Sequence, residues 1–255
     1  MPVIDLNSDL GEGFGPFRVG ADEELFPLIS SANVACGFHG GDPLMMERTV
    51  SQAKAHGVAV GAHPGFPDRN GFGRRAMMLT AAEIHADVLY QLGALAGFCQ
   101  VADVPLQHVK AHGALYNLAV GDETVATAIA QAVRDFNPAL RFFALPGSAL
   151  ERAGQEAGLN VVREAFADRA YMADGALVPR SRSGALIEDA ELAAARMVRL
   201  VTDGVIDTIA GAELRLEAET ICIHSDTPGA VAIAEAVVRR FGEAGIAVRH
   251  FGDRA

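Results

Sequence analysis

Four histidines recur at one point of the sequence's plan. His39, His63, His112 and His224 each follow a short run of small and β-branched residues and stand among glycines or other small residues. Lys110 lies two residues before His112, and carboxylates take comparable places, with Asp9 and Glu12 after the first apolar run and Glu164 and Asp168 after a later one. Imidazoles and carboxylates brought together move protons near neutral pH or hold a divalent cation. A lysine among them adds a seat for an anionic oxygen, and it is costly inside a protein unless paired or used. The plan is clearest in Asn33 to Pro43, Asn-Val-Ala-Cys-Gly-Phe-His-Gly-Gly-Asp-Pro. There the apolar run delivers His39, Gly40 and Gly41 let the backbone turn, and Asp42 with Pro43 opens a helix.

For these side chains to meet, their elements must end on one rim. Short apolar runs alternate with longer stretches of helical periodicity along the chain, the pattern of βα units around a parallel sheet. Strands are expected near residues 2–7, 31–36, 58–62, 107–111, 140–144, 160–164 and 220–224, with 246–251 a doubtful eighth. Helices are expected near 22–29, 43–56, 80–97, 121–136, 148–157, 188–203 and 229–243, and Thr80 with Glu83 has the form of a capping box. Residues 207–218 read as a small inserted hairpin. With no linker or fixed-period repeat, residues 1–255 are expected to form one α/β barrel domain.

Strand parity sorts the candidates. Asp5, Asn7 and Asp9 share one face of the first strand; His108, Lys110 and His112 share one face of the fourth; Cys222, His224 and Asp226 share one face of the last. In a parallel barrel all C-terminal strand ends converge on one rim, where distant residues meet one substrate. Other residues have simpler explanations. Asp42 reads as a helix cap, Cys36 and Cys222 as small core residues, His56, His85 and His250 as surface residues, and His108 as a core imidazole bonded to backbone.

Composition narrows the function. The chain has 255 residues, 50% of them hydrophobic, and a formal net charge of −11, which disfavours nucleic-acid or anionic-membrane partners. Only two lysines occur, Lys54 and Lys110. Three cysteines without CxxC spacing suggest a reducing compartment, and no apolar run is long enough to span a bilayer, so a cytoplasmic location is expected. Gly11, Gly13 and Gly15 do not make a dinucleotide fingerprint, Asp5 to Pro16 fails as a calcium loop, and no P-loop, nucleophile elbow or H-E-x-x-H is present. Asn70-Gly-Phe-Gly-Arg-Arg75 reads equally as a phosphate cradle or an exposed loop.

The sequence also resembles a known family. Asp5-Leu-Asn-Ser-Asp-Leu-Gly-Glu-Gly-Phe-Gly15, Asn33 to Pro43, Gly61-Ala-His-Pro64, Gly71-Phe-Gly-Arg-Arg75, Val109-Lys-Ala-His-Gly-Ala-Leu-Tyr-Asn117, Glu164-Ala-Phe-Ala-Asp-Arg-Ala-Tyr171 and Ile221-Cys-Ile-His-Ser-Asp-Thr-Pro228 are similar to motifs of the LamB/YcsF family. The resemblance implies a seven-stranded (β/α) barrel like those of glycoside hydrolases and polysaccharide deacetylases. It also implies one component of the bacterial ATP-dependent 5-oxoprolinase, working with two further components, the B and C subunits, to open 5-oxoproline to glutamate. Alanine replaces the family's usual proline at position 111, and Ser225 its usual glycine.

On this reading ATP, with Mg, is the co-substrate. Asp9, Glu12, His39, His63, Lys110, His112, Glu164 and His224 are the expected catalytic set. Asn7, Asn33, Arg74, Arg75, Asp168, Arg169 and Asp226 are expected to bind substrate or phosphate, with Lys110, Arg74 and Arg75 on anionic oxygens. Two other readings stay open: a metal-dependent amide or carbohydrate hydrolase, and a substrate-binding protein without chemistry of its own.

Overall fold

The computed structural model describes residues 1–253; the last two residues of the expected domain lie outside that range. Strands β1 (Val3–Leu10), β2 (Ser31–Ala35), β3 (Ala59–His63), β4 (Leu106–Val109), β5 (Arg141–Ala144) and β6 (Asn160–Phe166) pair in sequence order, all parallel. Between them lie α1 (Asp22–Leu25), α2 (Pro43–His56), α3 (Ala81–Ala102), α4 (Gly113–Gly121), α5 (Glu123–Phe136) and α6 (Ala149–Glu156). After β6 come α7 (Ala190–Asp203), an antiparallel hairpin of β7 (Val205–Asp207) and β8 (Glu213–Arg215), and then β9 (Thr220–Cys222). β9 pairs parallel with both β6 and β1, which closes a seven-stranded barrel. Helix α8 (Ala230–Glu243) follows, and β10 (Ala247–Val248) adds to the start of β1 beside the closed ring.

The expected seven-stranded (β/α) barrel is therefore present. The eighth strand exists as the two residues of β10, and the inserted hairpin starts two residues earlier than its sequence suggests. One helix was not anticipated: α4 begins directly after His112, with Gly113 at φ 54° making the turn into it. Asp42 caps α2 through the Met45 N–H at 2.9 Å, and Thr80 and Glu83 form the capping box of α3.

The barrel strands are buried on both faces. Ile4, Leu6 and Leu10 of β1 point outward into the helices, and burial of each contributes about 1.5–3 kcal/mol. Asp5, Asn7 and Asp9 point inward, so the barrel interior is polar and must satisfy itself. Asp5 accepts from the Ser30, Ser31 and Thr220 hydroxyls at 2.7, 2.6 and 2.5 Å. Asn33 donates to Asn7 Oδ1 and Asp9 Oδ1 at 2.7 and 2.8 Å, and His108 Nε2 donates to Asn33 Oδ1 at 2.8 Å. His108 is thus buried as expected but bonded to a side chain, with its ring stacked on Phe143 at 4.3 Å. Burial pushes its pKa down to about 3. Among the described residues no helix is long and apolar enough to cross a membrane.

Candidate active site

Above this polar plug the C-terminal strand ends surround a pocket of about 440 Å³. Asp9 comes from the end of β1, His63 from β3, Lys110 and His112 from just beyond β4, Phe166 from β6 and His224 from beyond β9. Glu12 and His39 stand behind His63 and His112, and Glu164 lies fully buried beside Lys110.

Lys110 is the hub of the floor. Its ammonium donates to Asp9 Oδ1 and Cys222 Sγ, each at 2.9 Å, and forms an ion pair with Glu164 Oε1 at 2.9 Å that lacks hydrogen-bond geometry. Burial opposes its charge, but Asp9, Cys222 and Glu164 outweigh burial and raise its pKa well above the usual lysine value. Glu164 moves the other way for a carboxyl, raised by burial despite the lysine. Burial also pushes Asp9 and Glu12 up, but His63 and Lys110 on Asp9, and His112 and His39 on Glu12, leave both below the ordinary carboxylate range.

The histidines fall into two arrangements. His39, His63 and His112 crowd around Glu12, whose Oε1 lies 3.1 Å from His39 Nε2, 3.1 Å from His112 Nδ1 and 3.9 Å from His63 Nε2. Burial and the neighbouring His112 push the His39 pKa down to about 3. His224 stands apart, its Nδ1 2.9 Å from Asp168 and its ring stacked on Phe166. Asp168 accepts a hydrogen bond from Nδ1–H, so in the neutral ring Nε2 carries the lone pair, and it lies 3.9 Å from Asp9 Oδ2. A buried carboxylate fixing the tautomer of a rim imidazole is the arrangement of a general base.

Cationic groups ring the mouth. Arg74 and Arg169 line the pocket, and so does Arg180. Arg74 is bonded to Asp226 at 2.7 Å, which brings Asp226 to the rim through its partner. Burial and the nearby Arg180 lower the Arg169 pKa to about 10, and its Nη2 donates to Val178 O at 2.6 Å.

A family model, LamB/YcsF family, matches residues 4–255. The chain belongs to the LamB/YcsF family. Within it, the chain is 53% identical over 245 residues to a protein of Symbiobacterium thermophilum named as the A subunit of 5-oxoprolinase, covering 96% of this chain and 94% of that one. A Thermus thermophilus protein of the same name is 52% identical, covering 97% of this chain and 99% of its relative. The crystal structure of a lactam utilization protein from Thermus thermophilus superposes with a TM-score of 0.94 at 52% identity, over 98% of this chain and 100% of that one. A putative cellobiose-phosphate cleavage protein from Enterococcus faecalis, 11% identical over 100% of this chain and 99% of that one, shares the fold at a TM-score of 0.58.

The sequence expectations for this LamB/YcsF chain divide by depth. Asp9, His63, Arg74, Lys110, His112, Arg169 and His224 line the pocket. Asn7 and Asn33 do not; they are fully buried in the plug beneath it, because parity fixes a residue's face but not its layer. Arg75 also departs from its expected place beside Arg74. The turn after the short 3-10 helix Arg69–Gly71 aims its guanidinium at Asp68, which also caps that turn, and leaves the side chain 67% exposed. Asp168 acts through His224. The expectations omitted Tyr116 and Arg180, which line the pocket; Cys222 lies in the core as expected, and its sulfur also meets Lys110. Tyr116 lies within the Val109 to Asn117 motif; nothing in the sequence distinguishes Arg180 from a surface arginine.

Proposed function

We propose that this chain is the A subunit of a 5-oxoprolinase, opening 5-oxo-L-proline to L-glutamate with hydrolysis of ATP and in assembly with B and C subunits as partners. The observation that carries the reading is identity near 50%, over nearly the full length of both chains, to proteins that bear this name. The pocket's chemistry suits the reaction. An unstrained lactam is a poor electrophile, so phosphorylation of its amide oxygen by ATP makes the ring carbon attackable by water. Breakage of the C–N bond in that adduct leaves an acyl phosphate, which a second water hydrolyses. The products are glutamate, ADP and phosphate, and the freed ring nitrogen takes a proton.

His224 suits activation of water or protonation of the nitrogen, since it lines the pocket with its Nδ1 held by Asp168, which would stabilise the imidazolium that forms. Arg169 and Arg180 suit the substrate carboxylate, and Arg74 suits a phosphate oxygen. Lys110 supplies fixed positive charge from below. Buried, unpaired cysteines support a cytoplasmic setting.

The test is reconstitution with the partner proteins and measurement of glutamate and phosphate release from 5-oxoproline and ATP. Activity that needs this chain and is lost in His224→Ala supports the reading. Full activity with His224→Ala favours a role in substrate binding alone, and lactam or acetyl hydrolysis by the chain alone without ATP favours a hydrolase of another kind.

A further inference from the structure

His63 and His112 have their ring protons fixed on the far side of the rings. His63 Nδ1 donates to Lys110 O at 2.7 Å, and His112 Nε2 donates to Phe72 O at 2.8 Å. A backbone carbonyl only accepts, so each neutral ring presents its other nitrogen as a lone pair. Those two nitrogens, His63 Nε2 and His112 Nδ1, face each other at 3.0 Å. Carboxylate oxygens close the same space: Asp9 Oδ2 is 3.2 Å from His63 Nε2, and Glu12 Oε1 is 3.1 Å from His112 Nδ1 and 3.9 Å from His63 Nε2. Four acceptors thus converge with no hydrogen of their own between them.

The geometry points to a divalent transition-metal site, Zn²⁺ in class, held by Asp9, Glu12, His63 and His112 at the floor of the pocket. Zn bonds of about 2.0–2.1 Å give a tetrahedral ligand-to-ligand spacing of about 3.3 Å, close to the 3.0, 3.2 and 3.9 Å from His63 to His112, Asp9 and Glu12 and the 3.1 Å from Glu12 to His112. The His63 and His112 ring planes stand at 89° with the facing nitrogens 3.0 Å apart, so one ion can lie in both ring planes. His39 is excluded from that set by the same reasoning. Its ring lies parallel to His112, 3.6 Å away at 3°, and parallel planes share no ion; His39 Nε2 instead donates to Glu12 Oε1 and orients it.

The surroundings match a metal centre. Histidine ligands typically give their second ring proton to a carbonyl or carboxylate, as both rings do here. Lys110 and Asn33 hold the other Asp9 oxygen, leaving Oδ2 free for an ion. Asp9 and Glu164 share the one Lys110 ammonium and Glu12 is buried among imidazoles, an excess of carboxylates that a divalent cation offsets. Imidazole donors favour Zn, Cu, Fe or Ni over Mg, Ca or Mn. A second trio, Asp9, Cys222 and His224, is a poorer seat because the Lys110 ammonium already lies against both Asp9 and Cys222. Bound at the pocket floor, the ion would supply a Lewis acid for a carbonyl or phosphoryl oxygen.

The site is read by binding rather than turnover, so its failure and that of the proposed activity are separable. The full chain is stripped with chelator and titrated with Zn²⁺ by calorimetry, then with Co²⁺ by absorption. The expected result is one ion per chain, a Co²⁺ spectrum without a thiolate charge-transfer band, and affinity weakened more than about tenfold in His63→Ala and His112→Ala. His85→Ala, on a distant pair with Asp135, retains wild-type affinity. If a site variant fails to fold, the wild-type stoichiometry and Co²⁺ spectrum decide. No stoichiometric uptake by the folded chain, a thiolate band, or unchanged affinity in folded His112→Ala overturns the proposal.

Discussion

Asp168 Oδ2 accepts two hydrogen bonds at once, from His224 Nδ1 at 2.9 Å and from the Thr227 hydroxyl at 2.5 Å. The second bond keeps the carboxylate from rotating away and so holds the imidazole's tautomer. Asp168→Asn offers the ring an amide in place of an acceptor-only partner. In the reconstituted complex kcat is expected to fall about 100- to 10,000-fold with KM little changed. Unchanged kcat would remove His224 from proton transfer.

The same pair has a signature in stability. Burial pushes Asp168 up, but His224 and the Thr227 hydroxyl overcome it and hold the pKa at about 2, below the ordinary 3.8. A depressed folded-state value means that the ionised group stabilises the fold above pH 4, and that this contribution is lost as pH falls toward 2. Linkage makes it about 2 kcal/mol. Chemical denaturation of wild type and Asp168→Asn is therefore expected to show a gap at pH 7 that narrows at pH 2.5. A gap that does not narrow would assign the difference to packing.

Lys110 is a structural counter-ion as well as a source of field. Lys110→Met leaves the buried Asp9 and Glu164 without their ammonium, at an expected cost of about 3–5 kcal/mol in denaturant unfolding. Adding Glu164→Gln to that variant removes one orphaned carboxyl and should recover part of the loss. A single variant as stable as wild type would show that the carboxyls are neutralised in another way.

Arg74 and Arg75 are adjacent in sequence and opposite in setting. Arg74→Ala is expected to raise KM for one anionic substrate by roughly 10- to 100-fold, the worth of a charged hydrogen bond. Arg75→Ala should leave KM unchanged, because its guanidinium serves Asp68. Equal effects of the two would contradict the pocket's orientation.

The barrel was legible because its strands are apolar runs whose inward positions are polar at spacing two. β1 announces itself by Asp5, Asn7 and Asp9 against Ile4, Leu6 and Leu10. The rim histidines were legible for the same reason, as strand ends in a closed parallel barrel must converge. Depth was not legible: Asn33 and Asp9 follow the same parity, yet one is plugged into the barrel and the other reaches the pocket. Gly61 illustrates why. A Cβ there would lie 2.1 Å from the His108 ring, so whether a side chain stays in the plug or rises depends on a neighbour from another strand. Helix α4 was hidden because Ala-His-Gly reads as a loop, and Arg75 because a short turn redirected one of two adjacent arginines.

The segment between β6 and β9 supplies Arg169, Leu177, Pro179 and Arg180 to the pocket wall. It carries a small apolar cluster of its own, Ala170, Val178 and Ala185, while Tyr171 and Leu177 tie it to the main core. Part of the pocket wall therefore draws its cohesion from contacts that the barrel strands do not share. Selection can remodel the enclosure to admit rings of other sizes or substituents without loosening the strands that hold His63, Lys110 and His112. Among proteins built on this plan, changes in substrate preference should accumulate in that wall more readily than in the barrel floor.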